Sequence, residues 1–264
     1  MREKNWPNFS KNLISKVSKI ISSGNINYTY GVYGLEFEKE FSKYIGNRYS
    51  VAICNGTVAL EVAIKSLNLP KNSEIIVPAR SFFSSASCIV NTGHKPIFTD
   101  VDLLTQNISI DDVKRKITKR TKAIICVHLG GMPCDMYNLR KIANQNNIKI
   151  IEDCSQAHGG SINNKQVGSF GDISAWSFCN DKIISTLGEG GMISTNSKQL
   201  YEYCKRYINH GTNLQKNKIS EKFIYNKDYF GSNLRITEIQ SYAGLDQLRN
   251  LKKVQKKREK ISKI

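Results

Sequence analysis

One lysine in this chain sits where an amine could do covalent chemistry. Lys182 follows Trp176-Ser177-Phe178-Cys179-Asn180-Asp181 and precedes the glycine-rich return Leu187-Gly188-Glu189-Gly190-Gly191. A lysine in such a turn suits an amine that forms an imine with a carbonyl. Burial and a nearby cationic group lower its proton affinity, so that it acts as a base once released. Most lysines are solvated surface residues, but this one has company. Asp153 lies 29 residues upstream, at the end of the apolar run 148–154. A carboxylate there is costly to bury alone. A pyridinium N–H is one partner for it, and that pairing keeps the ring nitrogen protonated, the condition under which pyridoxal phosphate (PLP) is an electron sink. Capping a helix is the other use of such a carboxylate.

Two further strand ends offer ligand-binding groups. Asn55-Gly56-Thr57 stands between an apolar run and a helix, where free amides and the helix dipole favour phosphate. The same residues also read as an ordinary N-cap by Asn55 or Thr57. Pro78-Ala79-Arg80-Ser81-Phe82-Phe83 follows another apolar run. One of its aromatic rings could stack on a planar cofactor, against the alternative that both are core; Phe83 is assigned to the core. His158 has the residue type of a catalytic base and is read instead as a structural neighbour of Asp153.

The elements that must carry these residues alternate in type. Runs 50–54, 74–79, 95–102, 122–129, 148–154, 173–178 and 190–196 read as seven strands. Helical patterns cover 57–69, 84–93, 109–117 and 136–146. The alternation predicts an α/β fold with a mostly parallel sheet flanked by helices, in which ligands sit beyond the carboxyl ends of the strands. A further helix is expected over 200–211 with Gly211 as its stop, then a loop TNLQKNKISEK, then helical periodicity to the end of the chain.

Composition narrows the class. With 264 residues, 40% of them hydrophobic, the chain can bury one large domain. No run of 18 apolar residues suggests a membrane span, and the N-terminus lacks the apolar stretch of a secretory signal. The seven cysteines are odd in number, scattered and free of CxxC spacing, which argues against a metal site or disulfide framework and for a reduced, cytoplasmic protein. The net charge of +17 raises nucleic acid as a partner. Much of that excess sits in the last segment, however, and a solvated surface rich in Lys explains the rest, so no nucleic-acid partner is expected.

The order of motifs CNGTVAL, PARSFFSSA, PIFTDVD, IEDCSQAHGG, VGSFGDISAWSFCNDKIISTLGEGGMIST and GSNLRITEIQSYAGLDQL resembles the DegT/DnrJ/EryC1/StrS family of sugar-nucleotide aminotransferases, from about residue 26 to the end. The resemblance implies PLP fold type I. Lys182 then holds PLP and shuttles protons, Asp153 pairs with the pyridine nitrogen, Phe82 stacks on the ring, and Gln156 lies near the ring oxygen or the ring's other face. Gly56, Thr57 and Ser177 hold the phosphate, joined by Asn233 of a neighbouring subunit, with Arg235 close by, in a homodimer that shares its sites. The implied reaction moves an amino group, usually from glutamate, to a keto group of a nucleotide-linked deoxysugar. Some relatives that dehydrate sugars carry histidine at the lysine position, so Lys182 favours amination. The same comparison divides the chain into an N-terminal helical segment (1–25), a PLP-binding large domain (26–245) and the start of a connecting helix (246–264) toward a small C-terminal domain that is missing or only begun. The alternatives are a catalytically incomplete PLP-binding remnant or half of a split enzyme.

Overall fold

The computed structural model describes residues 6–212 and 229–263. Short apolar, β-branched runs build the sheet: β1 (Tyr49–Ile53), β2 (Glu74–Pro78), β3 (Lys95–Thr99), β4 (Thr121–Val127), β5 (Lys149–Asp153), β8 (Ile173–Ser177) and β9 (Gly191–Thr195). Their spatial order is β1-β9-β8-β5-β4-β2-β3. Strands β8, β5, β4, β2 and β3 pair in parallel, whereas β9 runs antiparallel to both β8 and β1. The strands β2, β8 and β9 are buried at every position, so none of them alternates between a buried and an exposed face. A two-residue hairpin, β6 (Ser161–Ile162) with β7 (Lys165–Gln166), turns on Asn163 and Asn164 at φ 50° and 64°. That is the backbone asparagine tolerates in tight hairpin turns, but the strands are too short to show a period.

Helices cover both faces. They are α1 (Lys11–Ser23), α2 (Tyr33–Ile45), α3 (Gly56–Ser66), α4 (Ser84–Asn91), α5 (Ile110–Lys116), α6 (Met136–Asn146), α7 (Lys198–Tyr207) and α8 (Glu238–Ile261). Local caps start several of them: Ser10, Asn55, Ser109, Asp135 and Ser197 each accept a first-turn amide, and Thr237 with Gln240 forms a capping box. Helix α2 is different. Its N-cap, Val32, has no side-chain acceptor, and Glu238 of α8 serves instead, accepting the Val32, Tyr33 and Gly34 amides at 2.7, 2.7 and 2.9 Å. A side chain at Gly31 would overlap that carboxylate.

On one face of the sheet, Val51, Ile53, Ile151 and Ala175 pack with α3 and α4. On the other, Ala52, Trp176 and Met192 meet Phe37 and Phe41 of α2 and Leu245 and Leu248 of α8. Helix α8 runs without a break through residue 246, and its buried stripe extends to Leu251. Helix α7 ends at Tyr207, and the chain turns at His210 and Gly211, with φ 58° and 79°. Apart from Thr212, the expected loop TNLQKNKISEK lies outside the described residues. Five of the seven cysteines are buried, Cys54 and Cys179 are half-buried, and all are free thiols. Among the described residues no helix is long and apolar enough to cross a membrane.

Candidate active site

Direct contacts bring the strand ends together at the carboxyl edge of the sheet. Gly56 opens α3 so close to Ser177, at the end of β8, that a Cβ there would stand 2.6 Å from the Ser177 Cβ. Thr57 Oγ1 donates to Ser84 Oγ at 3.1 Å, joining the starts of α3 and α4. The next residue, Ser85, donates to Asp153 Oδ2 at 2.7 Å. Cys154 N–H, just after Asp153, bonds the Ala175 carbonyl of β8 at 2.9 Å, which leads back to Ser177 and closes the ring. In the first turn of α3 Asn55 accepts the Val58 amide at 2.9 Å, so the capping use of this segment is realised. Helix geometry leaves the Gly56 and Thr57 amides at the start of α3 without an intrahelical acceptor.

Asp153 is 5% exposed and carries Ser155 N–H on Oδ1 at 3.1 Å. Lys182 stands in the turn after β8, its backbone N–H on the Cys179 carbonyl, its ammonium 3.3 Å from Asp181 and its side chain 20% exposed. Beneath that turn, His158 is buried against Trp176 and Phe178. Neither of its ring nitrogens has a hydrogen-bond partner among the described residues. Burial, and then the charge of Lys182, pushes its pKa down to about 3, so the ring is a neutral wedge, consistent with its reading as a structural neighbour.

The other expected residues are placed less tightly. Gln156 uses Oε1 to accept the Gly130 amide at 2.7 Å. Phe82 is 70% exposed beside the ring. Phe83 corrects the expectation: it is 79% exposed and not core, because α4 begins immediately after it and turns Ser84 and Ser85, not the phenylalanine, inward. Asn233 is exposed, bridged through its backbone to Asn209, and outside the ring. Leu234 beside it accepts the Cys54 amide at 3.0 Å, and Arg235 bonds Asn209. Ser84 and Ser85 were the residues sequence reasoning missed. Their only signal was a pair of hydroxyls at a helix start, which usually means capping.

Next to Asp153, Glu152 faces the opposite side of β5. It accepts the Gly168, Phe170 and Gly171 amides and pairs with His128 Nε2 at 3.0 Å. His128 Nδ1 accepts the Cys134 amide at 3.0 Å, which assigns the proton to Nε2. Burial alone would raise the Glu152 carboxyl, and the His128 contact and the loop amides override it. His128, Glu152 and Cys154 cluster closely enough for their ligand atoms to meet. Burial pushes the Cys154 thiol up to about 12, and His128 and Glu152 hydrogen-bond each other.

Known proteins resemble the chain in sequence and in fold. The chain is 41% identical over 218 residues to the GDP-perosamine synthase of Escherichia coli O157:H7, covering 83% of this chain and 58% of that protein. It is 35% identical to the GDP-perosamine synthase of Vibrio cholerae over 98% of this chain and 68% of the relative. Among solved structures, the aminotransferase from Psychrobacter cryohalolentis superposes with a TM-score of 0.91 at 40% identity, over 94% of this chain and 63% of that one. The chain thus spans roughly three fifths of the length of such relatives. With residues 7–264 matching its family model, the chain belongs to the DegT/DnrJ/EryC1/StrS aminotransferase family.

Proposed function

We propose that the chain binds PLP and transfers an amino group, with glutamate as donor, to a keto group of a nucleotide-linked deoxysugar in aminosugar and polysaccharide biosynthesis. One observation carries this reading: the closed ring of contacts Gly56–Ser177, Thr57–Ser84 and Ser85–Asp153. The donor set fits the cofactor. The helix-start amides and hydroxyls of Gly56, Thr57 and Ser177 suit a phosphate. Asp153 is a buried anion with no cationic side chain paired to it among the described residues, which suits a ring N–H. Lys182 supplies the amine. When bound, PLP supplies an aldehyde that takes up and releases the amino group and a ring that draws off electrons.

In this reading Lys182 would hold the cofactor through its amine and would move the proton at the carbon that gains or loses nitrogen. Asp153 would accept the ring N–H, Phe82 would cover one face and Gln156 would border the ring. His158, its pKa pushed down to about 3 by burial and then by Lys182, is a weak base there. A lysine at this position favours amination over dehydration. Relatives named for GDP-perosamine synthesis support a GDP-linked or similar sugar nucleotide.

The active unit is proposed as a homodimer in the cytoplasm, where the seven thiols stay reduced. Phe82, Phe83, Leu103, Leu104 and Met132, between 50% and 93% exposed, edge the site on neighbouring loops joined by the Arg80–Gln106 and Asn107–Met132 contacts. In the proposed dimer, Asn233 would reach the phosphate end of the neighbouring subunit's site, as the family resemblance implies. Absorbance of the purified chain with PLP tests the central claim. A visible band that Lys182→Ala abolishes and that bleaches with glutamate is expected. Absence of the band in the wild-type chain refutes PLP binding, and a band indifferent to glutamate indicates cofactor binding without turnover.

A further inference from the structure

We propose that Ser85 is a positioning residue for Asp153, extended by Ser81, so that a relay of two hydroxyls sets the plane of the carboxylate that meets the cofactor's ring nitrogen. The inference rests on the PLP reading above and deepens it.

Ser85 lies in the first turn of α4 and is fully buried. A hydroxyl in that position ordinarily bonds the backbone of its own helix. The Ser85 hydroxyl instead makes its contacts with Asp153 Oδ2 at 2.7 Å and Ser81 Oγ at 2.6 Å. A hydroxyl has one proton, and an ionised carboxylate only accepts. The Ser85 proton is therefore committed to Asp153, and Ser81 must be the donor in the second bond. The relay is directional, from Ser81 to Ser85 to Oδ2, and it ends on a charged acceptor, the arrangement in which each bond polarises the next. On the other side of the carboxylate, Ser155 N–H reaches Oδ1 at 3.1 Å. Donors on both oxygens fix the rotation of the group and leave it a free acceptor direction.

The charge itself is not neutralised. Among the described residues Asp153 forms no salt bridge. Its negative charge is felt one turn along α4, where burial first and Asp153 second push the Cys88 thiol far up. A buried carboxylate held by one hydroxyl and an amide, without a counter-ion among the described residues, is arranged for a cation that arrives with a ligand. Hydroxyls suit that task better than an arginine would, because they orient the carboxylate without cancelling the charge the pyridinium needs.

The test is a PLP titration and a pH titration of the visible band, in full-length Ser85→Ala, Ser85→Thr and Ser81→Ala chains. Ser85→Ala is expected to weaken PLP binding about tenfold, the worth of one hydrogen bond to a charged group. It should also move the band's pH midpoint up by about half a unit: the band reports the proton on the nitrogen joining Lys182 to the cofactor, and a ring that holds its own proton less well repels that one less. Ser85→Thr should restore both values, and Ser81→Ala should shift both in the same direction by less. A folded Ser85→Ala chain with wild-type PLP affinity and midpoint overturns the proposal, even if its melting temperature falls, since that is the signature of a packing residue. Loss of both properties in Ser85→Thr as well also overturns it. Should Ser85→Ala not fold, Ser81→Ala decides, because its hydroxyl touches the carboxylate only through the relay. A wild-type chain without a band removes the PLP reading and this inference together, whereas a wild-type band with unchanged variants removes this inference alone.

Discussion

Replacing Glu238 with alanine should cost the fold about 4 kcal/mol, although Glu238 lies outside the candidate active site. Its carboxylate is 1% exposed and accepts three consecutive amides at the start of α2. Without it the Gly34 amide, which is buried, has no water to turn to and carries the full penalty of an unsatisfied donor, about 2 kcal/mol. The half-buried Tyr33 amide loses about 1 kcal/mol, and the Val32 amide, on an exposed residue, re-solvates at little cost. The favourable meeting of a carboxylate with the N-terminal end of the helix dipole is worth about 0.5–1 kcal/mol more. Urea unfolding followed by circular dichroism reads the loss directly. In a heating scan it corresponds to a fall of roughly 8–16 °C for a chain of this size. Adding Val32→Ser to the Glu238→Ala chain should recover about 1 kcal/mol, since a local N-cap then serves part of the helix start. If Glu238→Ala costs under about 1 kcal/mol, the amides find other acceptors and Glu238 is not the cap of α2.

Two further changes probe the frame of the site. His158 is held neutral, with its pKa lowered from 6.5 to about 3 by burial and by Lys182. Between those pH values the unfolded chain binds the proton and the folded chain does not, so stability falls as pH drops through this window, by up to about 1.4 kcal/mol per unit. In His158→Phe, which keeps the packing against Trp176 and Phe178, the plot of unfolding free energy against pH from 6.5 to 4.5 should be flatter by that amount; an unchanged slope counts against a buried neutral histidine. Leu104, 93% exposed on the apolar rim, is proposed to lie against a second copy of the chain. Leu104→Lys should shift the mass seen by light scattering from dimer toward monomer, and a wild-type chain that is already monomeric refutes the shared-site arrangement.

The parts of this fold that show in the sequence are those whose cause is local. The strands β2, β4 and β5 are buried runs rich in Ile and Val, and α5, α6 and α7 begin at Ser109, Asp135 and Ser197, whose side chains bond the amide three residues on. What is hidden has a distant cause. Helix α2 has an amphipathic sequence but no residue of its own to start it, and its cap comes from Glu238, 206 positions after Val32. Phe83 was assigned inward by residue type alone. Type is a one-way guide, because large apolar residues also stand exposed, and the start of α4 decides which neighbours turn toward β5.

Strand parity explains why the adjacent carboxylates Glu152 and Asp153 have different surroundings. Successive side chains on a strand point to opposite faces. Ile151 belongs to the core beneath α3 and α4, and Ile150 to the core on the other side. Asp153 therefore shares its face with Ile151 and meets Ser85 at the start of α4, whereas Glu152 shares the face of Ile150 and is enclosed by His128 and the amides of Gly168, Phe170 and Gly171. Both carboxylates are buried at the end of the same strand, yet Glu152 has three amides and a histidine, and Asp153 has only a hydroxyl and an amide. A slip of one residue in the register of β5 would exchange the two environments, putting the satisfied carboxylate at the candidate site and leaving the unpaired one in the framework. The backbone pairings Val127 with Asp153 and Asp153 with Ala175 exclude that slip, so the chemistry proposed for Asp153 depends on the register of the two strands that flank it as much as on the residue itself.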